Sequence, residues 1–278
     1  MSHQERLPLD ARAGVPVDAH VHFHQIELAG PTLDAAAGNF AAYQAAGPVL
    51  SGMLLLAESA SERVFEQLQN RDTVAAWSLQ AVPGEPESVI AVSRHARIVI
   101  ICGRQIRCAD GLEILALGTT RDYADGGSLE ATVEQVRADG AVTVLPWGFG
   151  KWTGRRGALI QELFRHRDPD SLFAGDNGGR MQILGMPKLL AVAREAGFRL
   201  LPGTDPFPFG GDYRRVGSFG FLAMIDPSMA KPWSCLREWL ESCPSSPAPY
   251  GRALNPLRFG FNQGWIQVHK RMLHGSAR

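Results

Sequence analysis

Short apolar runs recur along the chain at 15–20, 52–57, 73–79, 97–101, 112–117, 141–145, 171–174 and 199–201. Between them lie stretches with apolar residues at three- and four-residue spacing, at 32–46, 61–70, 128–139, 158–165 and 187–196, which predict helices. Ser61 and Ser128 stand where N-caps belong, Gly140 and Gly197 fit C-terminal stops, and Pro187 suits a first helical turn. Runs followed by loops and helices predict β-α units on a parallel sheet, although 97–101 and 112–117 lie close enough to form a hairpin. Segment 206–220 reads as a long functional loop, and 244–256 as a Pro- and Ser-rich connector to a final amphipathic helix at 264–273. The pattern therefore predicts one α/β domain spanning 1–278, a distorted (β/α)7-8 TIM-like barrel with its core at about 15–243 and the connector and helix at 244–278.

Composition agrees with a packed domain, with 45% hydrophobic and 20% charged residues. Lys and Arg number 28 against 28 Asp and Glu, so no global field would draw in nucleic acid or an anionic membrane. The four cysteines, Cys102, Cys108, Cys235 and Cys243, have no C-x-x-C spacing, and the first residues lack the apolar stretch of a signal peptide. A cytoplasmic protein with reduced thiols is the expectation, and its oligomeric state is open.

In a parallel barrel the chemistry collects at the carboxyl ends of the strands. The first run closes in Asp18-Ala19-His20-Val21-His22-Phe23-His24, and alternate strand residues share a face, so Asp18, His20, His22 and His24 are expected to point the same way. Two imidazoles at that spacing can bind one metal ion, the alternative being histidines hydrogen-bonded at the rim. Glu58 ends the second run, either as a functional charge or as an acid opening the next helix. Glu113, flanked by Leu112 and Ile114, needs a cation or several donors unless it lies on a solvated hairpin face. Asp176 and Asp205 each follow an apolar run, and the turn-like Asp176-Asn177-Gly178-Gly179 makes Asp205 the stronger functional candidate.

Three of these segments, in order, resemble the PHP (polymerase and histidinol phosphatase) domain, within the wider group of metal-dependent hydrolases on α/β barrels. Asp18-Ala19-His20-Val21-His22 is similar to its opening D-x-H-x-H, Gly111-Leu112-Glu113-Ile114 to its glutamate strand, and Gly203-Thr204-Asp205 to its closing G-S/T-D. The resemblance implies a barrel of seven or eight strands and metal ligation by His20, His22, Glu113 and Asp205. The chain departs from the pattern in having Glu58-Ser59 in place of an Asp-His pair, no histidine near Leu145-Pro146-Trp147, and Pro206 where a histidine follows the last Asp. A reduced site is implied, holding zinc or manganese as one or more ions, or none.

Gly-rich loops with basic residues at 148–157, 177–180 and 210–215 would share one rim of such a barrel. Glycine lets backbone N–H groups approach an anion and Arg offers paired donors, so a small anionic substrate, foremost a phosphoester, is the expected partner. Asp176, Glu58 and Lys151 are the catalytic candidates, and Arg155, Arg156, Arg180, Arg214, Arg215 and Trp152 the substrate-binding ones. The resulting expectation is a metal-dependent hydrolase. Amide or lactone hydrolysis, or a non-catalytic barrel binding an anionic ligand or partner, are the alternatives.

Overall fold

The computed structural model describes residues 14–43, 50–181, 185–254, 259–260 and 264–265. The expected helix at 264–273 and the end of that at 32–46 fall largely outside the described residues. Among the described residues the chain forms thirteen strands and six α-helices. The strands are β1 (Val15–Val21), β2 (Gly52–Leu56), β3 (Thr73–Val74), β4 (Trp77–Ala81), β5 (Ser88–Val92), β6 (Arg97–Ile101), β7 (Gly103–Arg107), β8 (Glu113–Leu117), β9 (Val142–Pro146), β10 (Phe173–Asn177), β11 (Leu200–Gly203), β12 (Phe219–Ala223) and β13 (Pro249–Gly251). The helices are α1 (Ala29–Phe40), α2 (Val64–Gln69), α3 (Leu129–Ala138), α4 (Gly154–His166), α5 (Lys188–Glu195) and α6 (Pro232–Ser242).

The expected TIM-like barrel is corrected by this topology. Among the described residues the strands make two sheets, ordered β13-β12-β1-β2-β6-β5-β4-β3 and β11-β10-β9-β8-β7, with no closed barrel and no ring of helices around one. Both sheets are mixed. β1–β2, β2–β6, β9–β10 and β10–β11 pair parallel, whereas the β3–β4–β5–β6 and β7–β8–β9 series and the β12 and β13 edge pair antiparallel. The run at 73–79 is a hairpin, because Ala75-Ala76 makes a two-residue turn with Ala75 at φ +50°, lacking the Asn or Gly that usually marks one. The run at 112–117 does pair in a hairpin, with β7 and not with β6.

Burial explains the layers. Val15, Val17, Met53, Leu55, Val99 and Ile101 from the first sheet meet Leu115, Leu117, Val142, Val144 and Phe173 from the second, forming a core between them. Trp233, Leu236 and Leu240 of α6 pack into the same core. The first sheet's back is covered by α1 and α2 through Leu33, Phe40 and Phe65, and the second's by α3, α4 and α5 through Val133, Ile160 and Leu190. No described helix is long and apolar enough to cross a membrane.

Two contacts join the sheets where β1 and β2 end. Glu58, just past β2, makes an isolated parallel bridge with Arg104 of β7, and the Asp205 N–H, just past β11, donates to the His20 carbonyl at 2.8 Å. Chemistry carried on β1 therefore meets chemistry carried on β11.

Candidate metal centre

A bulge aims the histidines. β1 pairs with β2 as Asp18↔Leu54 and then Val21↔Leu56, so β1 carries one extra residue. Val17 and Ala19 face the core between the sheets, but Val21 packs in the outer cluster, so the alternation reverses between them. His20 and His22 thereby lie on the inner side of the strand end. Asp18 is not part of their group: its buried carboxylate accepts from Thr204 N–H (2.8 Å), Thr204 Oγ1 (2.6 Å) and Gly217 N–H (2.9 Å). Burial pushes its pKa up to about 6 against the pull of those donors.

The Nε2 atoms of His20 and His22 are 3.2 Å apart, and Asp205 Oδ1 lies 3.5 Å from the first and 3.6 Å from the second. Two donors bound to one zinc at 2.0–2.1 Å with tetrahedral angles stand about 3.3–3.4 Å apart, so this triangle has the dimensions of one ion's coordination edge. Both histidines are buried, and two aromatic nitrogens facing each other and a carboxylate are the donor set that imidazole-binding divalent ions take. Gln105 Oε1 stands 3.2 Å from His20 Nε2 as a further oxygen.

Backbone close packing makes the triangle possible. A Cβ on Gly203 would sit 2.4 Å from the His20 nitrogen, so only glycine lets β11 approach β1 this closely. Asp205 adopts φ +48°, an uncommon conformation for a residue with a side chain. The Asn177 amide donates to its Oδ2 at 2.8 Å and to the Trp147 carbonyl at 2.5 Å, leaving Oδ1 for the histidines.

Electrostatics follow from burial and pairing. Burial holds the His20 imidazole below its ordinary pKa despite Asp205, which favours the neutral, ligating form. Burial also acts on His22, but the carboxylates of Glu62 and Asp205 outweigh it and raise that pKa. Asp205 is lowered, since His20, His22, Lys151 and Arg215 overcome the cost of burying its charge.

The group opens on a cleft of ≈ 480 Å³ lined by His20, Glu113, Lys151, Arg156, Asn177 and Asp205, with Trp147, Phe149 and Phe207 as apolar walls. Glu113 is not in the close group of three; its Oε2 is 2.5 Å from Lys151 Nζ on the cleft wall. Arg156 lines the cleft and donates to the Gly150 carbonyl, while Arg155 is exposed at the start of α4 outside the lining.

The remaining expected residues are placed elsewhere. Glu58 accepts the Phe65 N–H (2.7 Å) and pairs with Arg104 (2.6 Å), capping α2. Asp176 is held by Arg180 through two bonds, 2.9 and 3.1 Å, and lines a separate cavity of ≈ 420 Å³ with Arg194 and Phe219. Arg215 braces Asp212, Gly178 and Thr204, and Arg214 is exposed with its guanidinium over the Tyr213 ring. Trp152 is buried against Phe164 and donates to the Pro146 carbonyl. Gln105, Asn177 and Glu62 lie at this candidate site although the pattern of runs does not reveal them: Gln105 lies in a strand with no apolar run, Asn177 beside the more conspicuous Asp176, and Glu62 in a stretch expected to be helical that is instead the loop before α2. Glu62 and His24 make a second close group with His22.

No protein-family model matches the chain, and no curated protein matches it. A solved structure does. The crystal structure of PsfC from Pseudomonas syringae PB-5123 is similar over 92% of this chain and 98% of that one, at 14% identity and a TM-score of 0.56. That likeness is one of fold.

Proposed function

We propose that the protein is a metal-dependent hydrolase of a small anionic molecule, foremost a phosphoester, with His20, His22 and Asp205 as the metal-binding residues. The observation that carries this reading is the triangle of two buried Nε2 atoms and one carboxylate oxygen with sides of 3.2–3.6 Å. A divalent zinc or manganese ion held there supplies acidification of bound water and polarisation of a substrate oxygen. The chain's own groups do the rest. Asn177 orients Asp205, and the Lys151 ammonium and Arg156 guanidinium face the cleft where negative charge on a substrate would lie. Glu113 is the carboxylate free of structural capping that reaches the cleft, so it takes the acid–base role in place of Asp176 and Glu58. A cleft of ≈ 480 Å³ suits a small molecule. Four free cysteines support a reducing, cytoplasmic setting as part of the same proposal.

The test is turnover by zinc- or manganese-loaded protein of a panel of phosphomonoesters, phosphodiesters, amides and lactones. Metal-dependent phosphoester cleavage that is lost in His20→Ala is expected. Cleavage of amides or lactones alone would overturn the substrate class, and no metal-dependent turnover of any of them would overturn the hydrolase reading.

A further inference from the structure

We infer that Glu62 and His24 form a positioning brace that holds two of the metal-binding side chains, His22 and Asp205, in register; the inference rests on the metal reading above. Glu62 sits at the centre. Its Oε2 accepts the Ser59 N–H at 2.7 Å and faces His22 Nδ1 at 3.5 Å, while its Oε1 meets His24 Nδ1 at 2.7 Å. His24 then passes the connection on, because its Nε2 is 3.0 Å from the Pro206 carbonyl. Pro206 is the residue after Asp205. One chain of contacts therefore runs from the loop before α2, through the far side of His22, to the loop that presents Asp205.

The backbone shows what the brace holds in place. His24 at φ +53° and Asp205 at φ +48° are two of the three non-glycine residues with positive φ among the described residues, and they flank the connection. Such conformations persist only where surrounding contacts over-determine them. The His22 and His24 rings are stacked, 5.2 Å between centroids and 6° from parallel, so moving one displaces the other.

Distance decides between a brace and a second ion. His22, His24 and Glu62 are a possible metal-binding group by residue type. Two donors on one ion stand about 3 Å or more apart, whereas 2.7 Å between His24 Nδ1 and Glu62 Oε1 is hydrogen-bond length. A carbonyl oxygen only accepts, so His24 Nε2 carries a hydrogen toward Pro206, and a proton lies between Nδ1 and Glu62. His22 Nδ1 is buried with no hydrogen-bond partner in this structure, and Glu62 is the acceptor beside it. A carboxylate behind a ligating imidazole fixes its tautomer and strengthens it as a ligand, and losing one typically costs 10–100-fold in metal affinity.

Zinc titration by calorimetry, with a competing chelator, tests this on the whole protein and on Glu62→Gln, His24→Ala, the double variant and His20→Ala, with the melting temperature of each zinc-free protein recorded. Expected are one ion per chain throughout the brace variants, zinc affinity lower by about 10–100-fold in Glu62→Gln, and a double variant little worse than Glu62→Gln alone. A Co²⁺ absorption spectrum altered by Glu62→Gln would show that the ligand geometry itself has changed. If Glu62→Gln folds poorly, Glu62→Asp, which keeps the charge one methylene short, is expected to be intermediate in affinity. Zinc affinity in Glu62→Gln within twofold of the unaltered protein would overturn the brace, and so would a fall from two ions to one, which would make the group a second metal site. Full zinc affinity in His20→Ala would instead remove the metal centre on which the inference rests, and no zinc affinity in the unaltered protein would overturn both.

Discussion

Asp18 and Thr204 are joined by two hydrogen bonds from Thr204, its N–H at 2.8 Å and its hydroxyl at 2.6 Å, both ending on the one buried carboxylate. Asp18 precedes His20 by two residues and Thr204 precedes Asp205 by one, so this pair sets the spacing between the strand ends that carry the proposed ligands. Asp18→Asn replaces part of an acceptor by a donor and leaves buried donors of Thr204 and Gly217 without partners. The expected cost is about 2–4 kcal/mol of stability in urea unfolding, together with weaker zinc binding. Unchanged stability would show that the pair is dispensable.

Glu85 holds α6 from the turn before β5. Its carboxylate accepts from Trp233 N–H (2.8 Å), Ser234 N–H (2.9 Å), Ser234 Oγ (2.8 Å) and Ser88 Oγ (2.5 Å), supplying the cap that Lys231 does not. Burial opposes its charge, but these donors win and its pKa falls below the ordinary 4.5. A carboxyl lowered on folding contributes stability above its unfolded pKa and loses it as pH falls through the folded value. The melting temperature is expected to drop as pH decreases below about 4.5, and Glu85→Gln to be less stable at pH 7 with a flatter acid limb. An unchanged acid limb in that variant would contradict the assignment.

Lys151 bridges Glu113 and the cleft, so its ammonium is the cation best placed to meet an anionic ligand. Lys151→Met is expected to weaken inorganic phosphate binding to the zinc-loaded protein by about 10–100-fold, the worth of one charge-assisted hydrogen bond. Zinc content should not change. Equal phosphate affinity in calorimetry would place the anion elsewhere.

Glu58 is bonded as a cap and ion-pair partner, not as a base. Glu58→Gln is therefore expected to lower the melting temperature while leaving zinc affinity within about threefold, because it touches no proposed ligand. A tenfold loss of zinc affinity with normal stability would restore a role for it at the centre.

Much of the strand pattern was legible in the chain, but its closure was not. Apolar runs mark where β1, β2, β6 and β8 to β11 lie, yet a run carries no direction, so the antiparallel returns through β3 to β5 and β7 to β8 turned an expected barrel into two sheets. β7 was hidden because Gly103-Arg104-Gln105-Ile106-Arg107 alternates polar and apolar residues too briefly to stand out. The motif residues His20, His22 and Asp205 could be found because strand ends and their order survive that change of topology. Glu113 could not be placed, since its contact with Lys151 depends on how the 148–151 loop folds back. On β10 a single step of alternation decides between neighbours: Asn177 bonds Asp205 while Asp176 bonds Arg180, and residue type alone does not show which of the two faces β11's loop. The β1 bulge was likewise unreadable, as no glycine marks it.

Anomalous diffraction at the zinc edge, from crystals grown with zinc, tests the metal centre most directly. One strong peak is expected about 2.0–2.1 Å from the Nε2 atoms of His20 and His22 and near Oδ1 of Asp205. No peak between those three side chains, or a peak only at surface histidines, would contradict it.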